Sequence, residues 1–143
     1  MNRKALRYLL PLLLAVPFMF TSCDDDEEYP QYIDSRLIGS WELTAANGMG
    51  IDPAEANYFV FDGDGDGEYY YFRGGRLFEE DIWFSCQDYG GPDGQQLNIS
   101  YESGRYSNVS YWLTYGGNTL MMMWYTASGS VTYTYERIDY IPY

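Results

Sequence analysis

Beyond residue 36 no stretch of the chain sustains an apolar period of 3.6, while short aromatic and β-branched runs recur between turn-forming clusters of Gly, Asn, Asp and Ser. Eight such runs predict strands at 37–44, 58–61, 68–73, 77–86, 97–101, 108–115, 120–125 and 130–137. Two alternate cleanly: Leu97, Ile99 and Tyr101 oppose Asn98 and Ser100, and Val131, Tyr133, Tyr135 and Arg137 oppose Thr132, Thr134 and Glu136. Such alternation buries one face of a strand. Aromatic residues make up 20% of the chain, 17 of them tyrosines, a bias that favours strands over helices. Gly74-Gly75, Ser103-Gly104, Gly116-Gly117-Asn118 and Ser128-Gly129 supply short turns, and a helical turn around Pro53 is expected at 52–56. Short turns make successive strands antiparallel neighbours. Eight in series favour a closed up-and-down β-barrel, which leaves no exposed edge; a two-sheet β-sandwich is the alternative. The run 120–125 is apolar on both faces and needs a cover, either the segment 138–143 or a contact surface.

The start of the chain reads differently. Arg3, Lys4 and Arg7 precede an apolar run at 9–20, and the small residues Thr21 and Ser22 stand directly before Cys23. This is the order of a charged region, an apolar region and a cleavage site. The run is 12 residues long and holds Pro11 and Pro17, against roughly 20 residues for a membrane-crossing helix. The site resembles the lipobox of bacterial lipoproteins, with Phe20 where that family usually has Leu. That resemblance implies acylation of the Cys23 sulfur and cleavage that makes Cys23 the new N-terminus. Each buried methylene of an acyl chain contributes about 0.8 kcal/mol to membrane attachment, so two or three chains anchor stably. Asp24, Asp25, Asp26, Glu27 and Glu28 follow, a block that self-repels and stays extended. It reads as a solvated tether, and it also resembles the acidic export signal that directs lipoproteins of one Gram-negative group to the outer cell surface. The expected division is a signal peptide at 1–22, a lipidated cysteine and tether at 23–36, and one domain at 37–143. The expected location is the bacterial outer membrane, lipid-anchored and facing the cell surface.

Charge and absences narrow the chemistry. Past residue 22, five arginines stand against 21 acidic residues, a net charge of −16. Such a surface repels phosphate backbones and excludes nucleic acid as a partner. The same stretch has no Lys and no His, and Cys86 is its one cysteine besides Cys23. Histidine general bases, Ser-His and Cys-His nucleophiles, lysine Schiff bases and the usual zinc ligand sets are thereby removed. Cys86, in the context Ile82-Trp83-Phe84-Ser85-Cys86, reads as a small buried hydrophobe. Glu79 and Asp81 share one side of a strand and read as a solvated face, because glycoside hydrolysis needs carboxyl groups facing each other across a sugar. No enzymatic activity and no cofactor are expected.

Gly39-Ser40-Trp41 on the first strand resembles the Gly-x-Trp signature of lipocalins, and Arg137 on the eighth falls where that family places an arginine that stacks on the tryptophan at the closed end. From Leu37 through the Phe61-Asp62-Gly63-Asp64-Gly65 turn to Arg137, the pattern is similar to small lipocalin-like domains of bacterial lipoproteins. The chain is shorter than secreted lipocalins and lacks their disulfides and long C-terminal helix. The resemblance implies a barrel that binds a small apolar ligand, and Tyr69, Tyr71, Phe84, Tyr101, Tyr133 and Tyr135 are the expected lining. Eight strands also allow an interior filled by side chains. A filled barrel would leave glycan or protein binding to the outer surface. Asp62, Asp64 and Asp66, followed by Gly67, open like a calcium loop, but the place of its final Glu is taken by Arg73. A hairpin turn accounts for the same letters, with calcium as a weak candidate.

Overall fold

The computed structural model describes residues 30–90 and 94–142. Nine strands follow in order: β1 (Gly39–Ala46), β2 (Met49–Gly50), β3 (Asn57–Phe61), β4 (Asp66–Arg73), β5 (Arg76–Asp88), β6 (Gln95–Tyr101), β7 (Tyr106–Thr114), β8 (Thr119–Thr126) and β9 (Gly129–Ile138). Each long strand pairs antiparallel with the next, and β9 returns to pair with β1. The result is a closed eight-stranded up-and-down barrel. Closure excludes the two-sheet sandwich. The additional strand β2 pairs with Ala45 and Ala46, beyond the point where β3 has left β1 at Glu42. The expected helical turn forms as a 3-10 turn at Pro53–Glu55, with the Asp52 carboxylate accepting from the Ala54 backbone N–H. The signal segment 1–22, Cys23 and the carboxylates Asp24, Asp25, Asp26, Glu27 and Glu28 lie outside the described residues.

Period-two alternation points Trp41, Leu43, Phe59, Phe61, Ile82, Phe84, Leu97, Ile99, Val109, Leu120, Met122 and Tyr135 into the barrel, where they form one core. Burying a side chain of this size stabilises the fold by roughly 1.5–3 kcal/mol. Cys86 is fully buried among them.

The two ends of the barrel differ. The segment before β1 crosses one end: Tyr32 exchanges backbone hydrogen bonds with Cys86 at 2.9 and 2.7 Å, alongside the part of β5 that β4 does not reach. Leu37, in a 3-10 turn at Ser35–Leu37, is fully buried beneath it. Residues 32–36, counted with the tether in the sequence, are thus packed onto the barrel. Gly65, in the β3–β4 turn at this end, has φ +93°, and a Cβ there would stand 3.2 Å from both Ile33 and the Phe84 carbonyl. The opposite end carries the hairpins between β4 and β5, β6 and β7, and β8 and β9, and remains open.

The C-terminal segment does not cover β8. Ile141 packs instead with Ala56, Tyr58 and Tyr70 on the outer face of β3 and β4, leaving Met121 half-buried between Trp112 and Thr134 and Met123 half-buried between Ser110 and Thr132. Among the described residues no helix is long and apolar enough to cross a membrane.

Candidate functional site

At the closed end, register places Trp41 directly opposite Arg137. The guanidinium lies 4.2 Å from the centre of the Trp41 ring. Arg137 also donates from Nη1 to the Ile38 carbonyl at 2.7 Å, from Nη2 to the Arg36 carbonyl at 2.7 Å and from Nε to the Gly117 carbonyl at 3.2 Å. The Trp41 indole N–H donates to the Leu37 carbonyl at 2.7 Å. One cation therefore ties β9, the incoming segment and the β7–β8 connection together over an indole. Gly39 permits this, since its φ is +128° and a Cβ there would stand 2.5 Å from Arg137 Nη1.

Beside the clasp, Asp34 is buried and accepts from the Arg36 backbone N–H at 3.0 Å, the Arg36 side chain at 2.6 Å and the Tyr111 hydroxyl at 2.9 Å. Burial alone would raise its pKa, but these donors outweigh burial and hold the carboxyl below the ordinary carboxylate value. Burial also pushes the Cys86 thiol up, against the lowering effect of Tyr111. This cluster holds the incoming segment in place; a thiol kept protonated and fully buried has no nucleophilic role.

The interior is occupied by rings. Phe78, Tyr71, Tyr69, Phe59, Phe61 and Phe84 form a continuous series of contacts from the open end to the closed one, with centroid separations of 4.7–5.6 Å. Tyr135, on the strand just beyond β1, meets Phe59, and its hydroxyl donates to Asn57 Oδ1 at 3.1 Å. Of the six residues expected to line a ligand cavity, Phe84, Tyr101 and Tyr135 are buried in this packing. Tyr133 lies against Trp124, whose indole N–H is buried with no partner among the described residues.

Tyr69 and Tyr71, in the same series, lie toward the open end. With Arg73, Glu80, Ser103 and Arg105 they line a pocket of about 350 Å³. Arg105 lies 3.9 Å from the Tyr101 ring centre and 5.5 Å from that of Tyr69. Glu80 holds it there at 3.3 Å while accepting from the Ser103 backbone N–H at 2.9 Å. Burial and the neighbouring Tyr101 phenol push the Tyr69 hydroxyl up to about 12, so it remains a neutral donor at physiological pH. The pocket combines an aromatic wall, two guanidinium groups and one carboxylate.

Glu80 and Arg105 belong to this site, although neither stands out in the sequence as a site residue. Strand period carried the signal for Glu80: it shares a face with Phe78, Ile82 and Phe84, opposite Glu79 and Asp81, which are exposed. Arg105 sits in a turn, where no periodicity predicts direction. Asp62, Asp64 and Asp66 are exposed in the β3–β4 hairpin, where the Asp64 carboxylate accepts from the Asp66 backbone N–H at 3.2 Å. Among the described residues no three acidic or cysteine side chains gather closely enough to hold a metal ion.

No protein-family model matches the chain, and no curated protein matches it.

Proposed function

We propose that this chain is a lipid-anchored lipoprotein of the bacterial outer membrane, attached through Cys23 and facing the cell surface, whose lipocalin-like barrel is a non-catalytic binding device. The Thr21-Ser22-Cys23 site and the acidic run behind it support the anchor. The clasp of Gly39, Trp41 and Arg137 supports the lipocalin-like reading, because the residues that carry the resemblance meet at one end of the barrel.

The occupant is a small apolar ligand with one acidic group, bound at the open end and not deep inside. The pocket lined by Tyr69, Tyr71, Arg73 and Arg105 carries this reading. It brings two of the five arginines beyond residue 22 together beside a single carboxylate, on a chain otherwise strongly negative. Stacked tyrosines offer flat apolar area, and guanidinium groups favour an anionic head. Catalysis has no support here, since Glu79 and Asp81 point to solvent and Glu80 is engaged by Arg105.

Titration with anilinonaphthalene sulfonate, a fused aromatic system with one anionic group, tests the reading. The expected result is saturable fluorescence enhancement at one equivalent, weakened at least tenfold by Arg105→Leu. A flat titration, or one indifferent to that substitution, would overturn it.

A further inference from the structure

The outer face of β5, β6 and β7 carries a second site of different chemistry. Cross-strand register sets Trp83, Ser100 and Tyr106 in one row and Ser85, Asn98 and Asn108 in the next, all pointing away from the core. Trp83 is 49% exposed and Tyr106 61% exposed, two large rings left to solvent on either side of a serine. They stand two strand spacings apart, roughly 10 Å. Trp83, Ser85, Asn98, Ser100 and Tyr106, together with Gln31 and Gln87, border a groove of about 380 Å³.

The floor of the groove is fixed. Asn98 is buried, and its Oδ1 accepts from the Tyr106 hydroxyl at 2.7 Å and from Asn108 Nδ2, while its Nδ2 donates to Gln87 Oε1 at 3.0 Å. The network orients Tyr106 over the sheet. The hydroxyls of Ser85 and Ser100 and the Asn108 side-chain carbonyl bond to no described residue, which leaves donors and acceptors directed outward.

Charge selects the class of ligand. Among the described residues none that lines this groove is acidic or basic, on a domain whose five arginines face 21 carboxylates in the chain. An anion would meet no cation here and a repulsive field around it. A peptide strand would need an open sheet edge; β6 and β7 are paired on both sides, and the end of β5 beyond β4 is bridged at Cys86 by Tyr32. Flat rings that can receive C–H bonds on their faces, beside neutral amides and hydroxyls, match an uncharged polyhydroxylated ring.

We propose that this face binds a neutral glycan, with one sugar ring held between Trp83 and Tyr106 and its hydroxyls bonded to Ser85 and Ser100. The site is independent of the pocket at the open end. Affinity electrophoresis of the full chain in detergent tests it, using gels that contain dextran, galactomannan or xyloglucan, with polygalacturonate as the anionic comparison. Retardation is expected from at least one neutral polysaccharide and not from polygalacturonate. Trp83→Ala should weaken it tenfold or more, Tyr106→Phe should weaken it less, and Arg105→Leu should leave it unchanged. Melting curves would show that the variants are folded, as expected for exposed positions. No retardation by any neutral polysaccharide, preference for polygalacturonate, or retardation unaffected by Trp83→Ala would each overturn the proposal.

Discussion

Arg137 covers Trp41 from the neighbouring strand, its guanidinium 4.2 Å from the ring centre, and spends its hydrogen bonds on three backbone carbonyls from the incoming segment and the β7–β8 connection. The pair closes one end of the barrel. Trp41→Ala is expected to cost about 3–5 kcal/mol, the range for a fully buried tryptophan. Arg137→Ala should cost about 2 kcal/mol, because it leaves carbonyls without donors. Denaturant unfolding checks both, and unchanged midpoints would remove the clasp from the account.

Gly39→Ala tests the same contact from the other side. The added methyl must displace Arg137 Nη1 and also adopt a φ of +128°, which side chains rarely do. A melting temperature as low as that of Arg137→Ala is expected, and in the double variant a loss smaller than the sum, because the clash is gone while the backbone strain remains. Additive losses would mean that the two residues act separately.

Asp34 makes stability depend on acid. Its folded pKa lies below the unfolded value of about 4, so its contribution is full above that value and is lost as pH falls through the folded one. Asp34→Asn should therefore be less stable than the native chain near neutrality, and the gap should narrow below about pH 4. Urea unfolding at a series of pH values measures it. A gap independent of pH would contradict the role of the ionised carboxylate.

At the open end the two charged partners should act with opposite signs. Glu80→Gln removes the one carboxylate facing Arg105 and should tighten binding of anilinonaphthalene sulfonate, whereas Arg105→Leu should loosen it. Equal effects of both substitutions would point to loss of shape and not to charge.

Cys23→Ala should abolish the lipid mass on the N-terminus. Intact-mass measurement of the protein extracted from membranes decides this, and lipid persisting on the variant would eliminate the anchor.

Strand number and closure were legible because each strand carries its own alternation and each turn its own glycines; Leu97, Ile99 and Tyr101 announce their face without help from tertiary structure. Period two likewise points Trp41 and Arg137 inward, while their pairing rested on the resemblance to lipocalins. What local pattern could not supply was what fills the middle. Whether Phe59, Tyr69 and Tyr135 leave a cavity or close on one another depends on distances across the barrel, between residues far apart in the chain. The destination of the C-terminal segment was hidden likewise. Ile141 has two apolar surfaces to choose from, and Tyr58 and Tyr70 outcompete the methionines of β8.

Non-denaturing mass spectrometry, after exposing the chain to a lipid and metabolite extract of its own cells, tests the central claim most directly. A single apolar adduct of small mass is predicted, retained by the native chain and by Trp83→Ala and lost from Arg105→Leu. A bare mass from the folded native chain, or an adduct that Arg105→Leu keeps in full, would contradict a binding site at the open end of the barrel.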